Sequence, residues 1–150
     1  MSFAAAAVSG LVGAGVVTGI NESARRLMPE TAPRMEILGM RALAKGLDAA
    51  DADIPPRRDL IKLALAGDVL GNTAYYSMVG LARPENAVTT GAALGLAAGI
   101  GGVLLPEPLG LGRAPSGRTP KTMAMTVAWY TIAGLAAGLA YKFLASGSDN

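Results

Sequence analysis

Residues 87–105 read AVTTGAALGLAAGIGGVLL, a run of 19 residues without a charged side chain. As an α-helix, a run of this length extends about 28 Å, because each residue adds about 1.5 Å. That length is close to the roughly 30 Å hydrocarbon core of a bilayer. A soluble amphipathic helix needs a polar face toward water, and this run has none. The run therefore predicts a transmembrane helix.

Three further apolar stretches are long enough to span a bilayer, namely residues 3–20, 60–81 and 122–144. In chain order, the first span (residues 3–20) contains no charge and the second (60–81) is interrupted by Asp68 and Asn72. Residues 87–105 are the third span, and the fourth (122–144) carries only Lys142 near its far end. The chain is therefore predicted to be an all-α membrane protein, a single domain over residues 1–150 with four transmembrane helices in a compact Gly/Ala-rich bundle. A soluble bundle whose buried helices are rich in Ala and Gly is the alternative.

The composition agrees with a membrane environment and excludes several kinds of chemistry. Of 150 residues, 51% are hydrophobic and 16% charged, and the mean hydropathy is +0.39, which is more apolar than a typical soluble domain. The chain has no cysteine and no histidine, so thiolate nucleophiles, the commonest general base and the usual zinc ligands are absent. We therefore predict no metal site, no cofactor and no catalytic residue. The net charge of +2 fits basic cytoplasmic loops and does not indicate nucleic acid binding.

The distribution of basic residues predicts the orientation in the membrane. Eleven of the 13 Lys and Arg residues lie in or beside residues 21–59 and 106–121, whereas Arg83 and Lys142 lie on the other side. Cytoplasmic loops carry an excess of Lys and Arg. No basic residue precedes the first apolar run, as a signal peptide would require. We expect both loops to be cytoplasmic, both termini to lie outside, and the membrane to be a bacterial-type inner (plasma) membrane.

The connections between the predicted spans differ in character. The turn at residues 83–86 is short enough to force a hairpin, because Pro84 cannot continue a helix. Residues 106–120 contain four prolines and three glycines and are predicted to form a Pro/Gly-rich loop. Residues 35–52 have the period of an amphipathic helix, which lies in the membrane interface or packs on a partner subunit. Its apolar face holds Ile37, Met40, Leu43, Ala44 and Leu47, and its polar face Arg41, Lys45 and Asp48.

Glycines four residues apart occur in every predicted span and indicate close helix packing. Because the hydrophobic effect does little to associate helices within lipid, small residues that allow close backbone approach matter more. The pattern is that of a glycine zipper, either within the bundle or in a homo-oligomer. The glycines are Gly15 and Gly19, Gly67 and Gly71, Gly91, Gly95 and Gly99, and Gly134 and Gly138.

An intramembrane polar stripe is predicted on the second span. Asp68 lies eight positions into that span, about 12 Å along the helix, where an unpaired charge is costly. Asn72 and Tyr76 follow at helical spacing on the same face, and Thr126 on the fourth span has a similar depth. The stripe is interpreted either as a proton or cation site or as a set of hydrogen bonds that fixes helix packing.

A second group of charged residues lies toward the cytoplasmic end. Arginines near a glycine-containing loop at a membrane surface can bind a phosphate or a lipid headgroup. The alternative is that these charges only set the topology. The group comprises Glu22, Arg25, Glu107, Arg113, Arg118 and Lys121.

Three functional hypotheses follow. The first is a non-enzymatic structural, accessory or assembly component, in contact with membrane lipids and either homo-oligomeric or part of a membrane complex. The second is a proton, cation or small-solute transporter that uses Asp68, which a water-accessible cavity reaching Asp68 would favour. The third is a headgroup-binding or lipid-modifying protein, which a cytoplasmic pocket joining Glu107 and Arg118 would favour. A filled bundle would favour the first.

Overall fold

The computed structural model describes residues 3–146, and within that range the regular elements are all helical. The prediction of an all-α protein is confirmed. The helices are α1 (Phe3–Leu27), α2 (Met35–Ala49), α3 (Arg57–Ser77), α4 (Ala87–Leu104), α5 (Ala114–Gly117) and α6 (Pro120–Ser146). Short 3₁₀ helices at Met78–Leu81 and Pro84–Asn86 connect α3 to α4. The predicted loop at 106–120 therefore contains one helical turn, α5.

Three of these helices are long and apolar enough to cross a membrane: α1, α6, and α4 together with the turn before it (Pro84–Leu104). They correspond to the three predicted spans with the fewest charges. α3, at the second predicted span (residues 60–81), is less apolar because four charged residues lie among positions 57–62 and Asp68 follows farther along.

The closest helix pair is α4 with α6, which run antiparallel. A β-carbon added to any one of five glycines would come closer than 3.0 Å to backbone atoms of the opposite helix. Backbone atoms cannot move aside as the end of a flexible side chain can, so only glycine permits this approach. The five residues are Gly91, Gly95, Gly99, Gly134 and Gly138.

α1 packs between α3 and α6. A β-carbon at Gly10 would meet Thr73 and Ser77 of α3, and one at Gly13 would meet the ring of Tyr76. The beginning of α1 therefore lies beside the end of α3, and the two helices are antiparallel. On the side of α6, the same position, Gly13, approaches the side chain of Ala137.

Two tyrosines, the half-buried Tyr75 and the buried Tyr76, connect helices through backbone carbonyls. The Tyr76 hydroxyl donates to the carbonyl oxygen of Tyr130 on α6 at 2.9 Å, and the Tyr75 hydroxyl donates to that of Leu94 on α4 at 2.9 Å. Tyr76 has no exposed surface. In a low-dielectric interior such bonds fix the relative positions of the helices, because a buried hydroxyl without a partner is costly.

Two of the predicted glycine pairs do not mediate packing within the chain. No atom lies within 4 Å of a β-carbon added at Gly15, Gly19, Gly67 or Gly71. These four glycines are exposed on the outer faces of α1 and α3, so they do not mediate packing within the chain.

α2 is held between α3 and the Pro/Gly-rich loop. Arg41 Nη1 donates to the carbonyl oxygen of Leu111 at 2.6 Å, and Lys45 Nζ donates to that of Leu109 at 2.5 Å. In the loop, Gly110 and Gly112 alternate with Leu109 and Leu111. Their φ angles are +72° and +82°, a conformation that L-residues rarely adopt. The polar face of α2 is thus used in part to bind the loop.

Candidate functional site

A cavity of about 400 Å³ lies between the end of α1, the first half of α2 and the first half of α3. Its volume is within the range of small-molecule sites. The apolar part of its wall is formed by Met35, Ile37, Met40, Ile61, Ala64 and Leu65. The polar part consists of Thr18, Asn21, Glu22, Arg25, Arg34, Glu36, Arg57 and Asp68.

Helical periodicity brings the α3 side of the cavity onto one face. Arg57, Ile61, Ala64 and Asp68 are spaced three or four residues apart, so their side chains form one stripe along the helix. Arg57 begins the stripe at the end of the bundle, and Asp68 lies three turns farther in. α2 closes the cavity from outside, where Gly39 packs against Ala64.

Asp68 forms the inner end of the cavity and has no cationic partner. Its Oδ1 accepts a hydrogen bond from Asn72 Nδ2 at 3.0 Å, and the same amide donates to the Asp68 carbonyl at 3.0 Å. None of the ion pairs among residues 3–146 includes Asp68. An amide neutralises no charge, so the carboxylate can accept a positively charged group from a ligand.

Charged side chains surround the mouth of the cavity. Arg25 pairs with Glu22 at 2.7 Å, and Arg34 pairs with Glu36. Because these four side chains are 29–44% exposed, solvent weakens both pairs. Arg57 has no ion-pair partner within the described part of the chain.

Thr18, on the cavity wall, has an unsatisfied hydroxyl. Its Oγ1 is buried and has no hydrogen-bond partner among residues 3–146. Buried polar groups are nearly always hydrogen-bonded, and Thr73 Oγ1 on α3 is a second exception among the described residues. Because the Thr18 oxygen has almost no solvent-accessible surface, Thr18 lines the cavity through its other atoms.

Residues from two separately predicted sites meet in this cavity. Glu22 and Arg25 were assigned to headgroup binding and Asp68 to an intramembrane stripe, but all three line the same space. Asn72 adjoins it through its bond to Asp68. Tyr76 lies farther along the stripe and bonds to α6 instead.

Thr126 and the loop charges lie outside the cavity. Thr126 Oγ1 donates to the carbonyl oxygens of Ser116 and Thr122, both at 3.0 Å. Arg118 donates to the carbonyl of Glu30, and Arg113 Nη2 contacts Met123 Sδ at 3.9 Å. Four loop residues are exposed rather than joined in a pocket, namely Glu107, Arg113, Arg118 and Lys121.

Sequence reasoning missed Arg34, Glu36 and Arg57 as site residues. Arginines in a cytoplasmic loop are explained by topology alone, so they carried no signal of their own. The signal for Arg57 was its spacing from Asp68, which repeats the helical period three times. Among the described residues, no group of three or more His, Cys, Asp or Glu is arranged to hold a metal ion.

The fold and the cavity together define an all-helical protein with three helices able to cross a membrane and a charged, partly apolar cavity at one end of the bundle. Comparison with protein-family models, with curated proteins and with solved structures finds no match to this chain.

Proposed function

We propose that the protein is an integral membrane protein of four spans, with α3 crossing the bilayer in addition to α1, α4 and α6. α3 runs antiparallel to α1 along most of its length, and α1 is apolar enough to cross a bilayer. Packing of this kind beside a spanning helix supports a fourth span. The outward face of α3 supports this, because Leu63 and Leu70 are 53% and 70% exposed and would contact lipid.

The cavity then opens on the cytoplasmic side. Its mouth contains three arginines, and the positive-inside rule assigns such residues to the cytoplasm. The same rule gives the orientation with both termini outside, in a bacterial-type inner membrane. α2 lies at the cytoplasmic surface, where its exposed residues contact headgroups or water.

Within this membrane protein, the cavity binds a small charged solute, as the binding site of a small-solute transporter does. The observation that carries this proposal is the unpaired carboxylate of Asp68 at the inner end of a cavity of about 400 Å³. A residue that only fixed packing would lie in a filled interior. Intramembrane acids that line a cavity characteristically mark substrate or ion pathways.

An accessory or assembly role is the second candidate. It is favoured by the outward glycines of α1 and α3, which have no neighbour within 4 Å and leave two flat faces for another membrane helix. The two candidates are compatible, since none of the outward glycines lines the cavity.

Charge-selective labelling tests the cavity without a known ligand. The chain has no cysteine, so Asn21→Cys supplies a single thiol on the wall, at a residue that is half-buried and lines the cavity. We expect the cationic trimethylammonium-ethyl methanethiosulfonate to react faster than the anionic sulfonatoethyl reagent. Asp68→Asn should reduce that preference about tenfold, because it removes the nearest uncompensated charge.

Asp59→Asn is the matched control. Asp59 lies on the same helix, is exposed, and does not line the cavity, so its removal should leave the ratio of the two labelling rates unchanged. Equal effects of the two substitutions would contradict a role of Asp68 in the cavity. A thiol at position 21 that neither reagent reaches would contradict an accessible cavity altogether.

A further inference from the structure

The charges of the cavity form two layers of opposite sign. Four of the five charged residues that line the mouth form ion pairs, namely Glu22, Arg25, Arg34 and Glu36, and Glu22 also pairs with Arg26, which does not line the cavity. The mouth is left with the positive charge of Arg57, and the inner end with the negative charge of Asp68. A ligand that matches both layers enters with a cation first and carries an anion behind it.

Oxygen acceptors at the inner end suit a cation that has its own hydrogen-bond donors. Asp68 and Asn21 both line the cavity and supply side-chain oxygen acceptors. A primary ammonium has three N–H donors to satisfy. Divalent metal ions require more charged oxygen ligands, and the described residues group no three carboxylates for one.

Arg57 at the mouth suits an oxyanion. A guanidinium presents parallel donors that match phosphate or carboxylate oxygens. Arg57 and Asp68 are separated by three helical turns, about 16 Å along the axis, so a small ligand contacts both only when the extended Arg57 side chain lies along α3 toward Asp68. Ile61 and Leu65, which lie between the two layers, offer no polar contact.

We propose that the ligand is a zwitterion that carries a primary ammonium, held by Asp68, and a phosphate or carboxylate, held by Arg57. This inference rests on the proposed function, namely that the cavity binds a charged solute. The ligand is either a free zwitterion of the cytoplasm or the zwitterionic headgroup of a lipid, since both present the same two charges.

Calorimetric titration of the full chain in phosphatidylcholine nanodiscs tests the inference. The three probes are ethanolamine, inorganic phosphate and O-phosphoethanolamine, at equal ionic strength. We expect O-phosphoethanolamine to bind about tenfold more tightly than either half, because one charge-assisted bond at each end contributes. Phosphocholine should bind more weakly, because its methylated ammonium donates no hydrogen bond to Asp68.

Variants separate the two layers. Arg57→Gln should weaken O-phosphoethanolamine about tenfold and leave ethanolamine unchanged, whereas Asp68→Asn should weaken both. Arg58→Gln is the control, because the neighbouring arginine is exposed and does not line the cavity. Circular dichroism and thermal unfolding of each variant separate loss of binding from loss of fold, and Arg57→Lys keeps the charge if Arg57→Gln unfolds.

The outcomes distinguish this inference from the proposed function. Ethanolamine that binds as tightly as O-phosphoethanolamine, without dependence on Arg57, overturns the zwitterion and leaves a cation-binding cavity. Absence of any Asp68-dependent binding overturns both. Phosphatidylethanolamine added to the nanodiscs distinguishes a lipid headgroup from a free solute as the ligand. If this lipid competes with O-phosphoethanolamine, the ligand is a lipid headgroup. If it does not compete, the ligand is a free solute.

Discussion

Gly95→Ala is expected to destabilise the folded bundle by about 3 kcal/mol, at the upper end of the range for overpacking. The added β-carbon would come closer than 3.0 Å to the backbone of Tyr130 and Thr131 on α6. Relief of that overlap requires α4 and α6 to separate along the whole contact, because both surfaces are backbone. The loss of stability is measured by unfolding the protein in mixed micelles. Circular dichroism and the fluorescence of Trp129 on α6 report the fraction unfolded.

Gly71→Ala is the matched control for this prediction. It also lies within a helix, but no atom is within 4 Å of its added β-carbon. Alanine is a better helix former than glycine by about 1 kcal/mol, so this variant should be as stable as the native chain or slightly more stable. Equal losses from Gly95→Ala and Gly71→Ala would contradict the α4–α6 packing.

Tyr76→Ala is expected to lower the free energy of unfolding by about 3–5 kcal/mol, as truncation of a buried aromatic ring does. Tyr76 is fully buried, packs against Gly13 of α1 and bonds to the Tyr130 carbonyl of α6. Its truncation therefore loosens three helices together. The same unfolding titration measures the change.

Two further variants help to interpret the Tyr76→Ala result: one isolates the hydroxyl of Tyr76, and the other is a control on the outer face of α3. Tyr76→Phe removes only the hydroxyl and should cost about 1 kcal/mol, the usual net value of one hydrogen bond. Leu70→Ala should cost little, because Leu70 is 70% exposed on the outer face of α3. A loss from Leu70→Ala as large as that from Tyr76→Ala would indicate that α3 is packed by its other face.

The helices were predictable because apolar runs are local features of the sequence. The span predicted at residues 87–105 agrees with the observed helix α4 (Ala87–Leu104) to within one residue. α1 continues beyond the predicted end at residue 20, through the pairs that Glu22 forms with Arg25 and Arg26 one turn on. Such pairs support a helix after it leaves the apolar run, and hydrophobicity alone does not reveal them.

Which glycines would pack was not predictable. Gly91 and Gly95 have the same spacing as Gly67 and Gly71, yet only the first pair meets another helix. Spacing fixes which residues share a face of a helix, but whether that face points inward depends on the arrangement of the other helices.

The cavity depends on contacts distant in sequence. α2 covers it because Arg41 and Lys45 bind carbonyls 70 and 64 residues away. The expectation for Asp68 came from the cost of an acid in a membrane span, which is a property of one residue. The roles of Arg34 and Arg57 arise only once three helices are assembled, and the positive-inside rule already explains both residues without a site.

The central claim is that α3 crosses the membrane and brings Asp68 into the bundle within the bilayer. Single cysteines at Ala52 and Asn86, both exposed and uncharged, flank α3 and its 3₁₀ extension without changing the charge of the loops. An impermeant maleimide applied to intact spheroplasts should label Asn86→Cys at once and Ala52→Cys only after permeabilisation. Labelling of both from the same side would contradict the account, because α3 would then lie along the membrane surface.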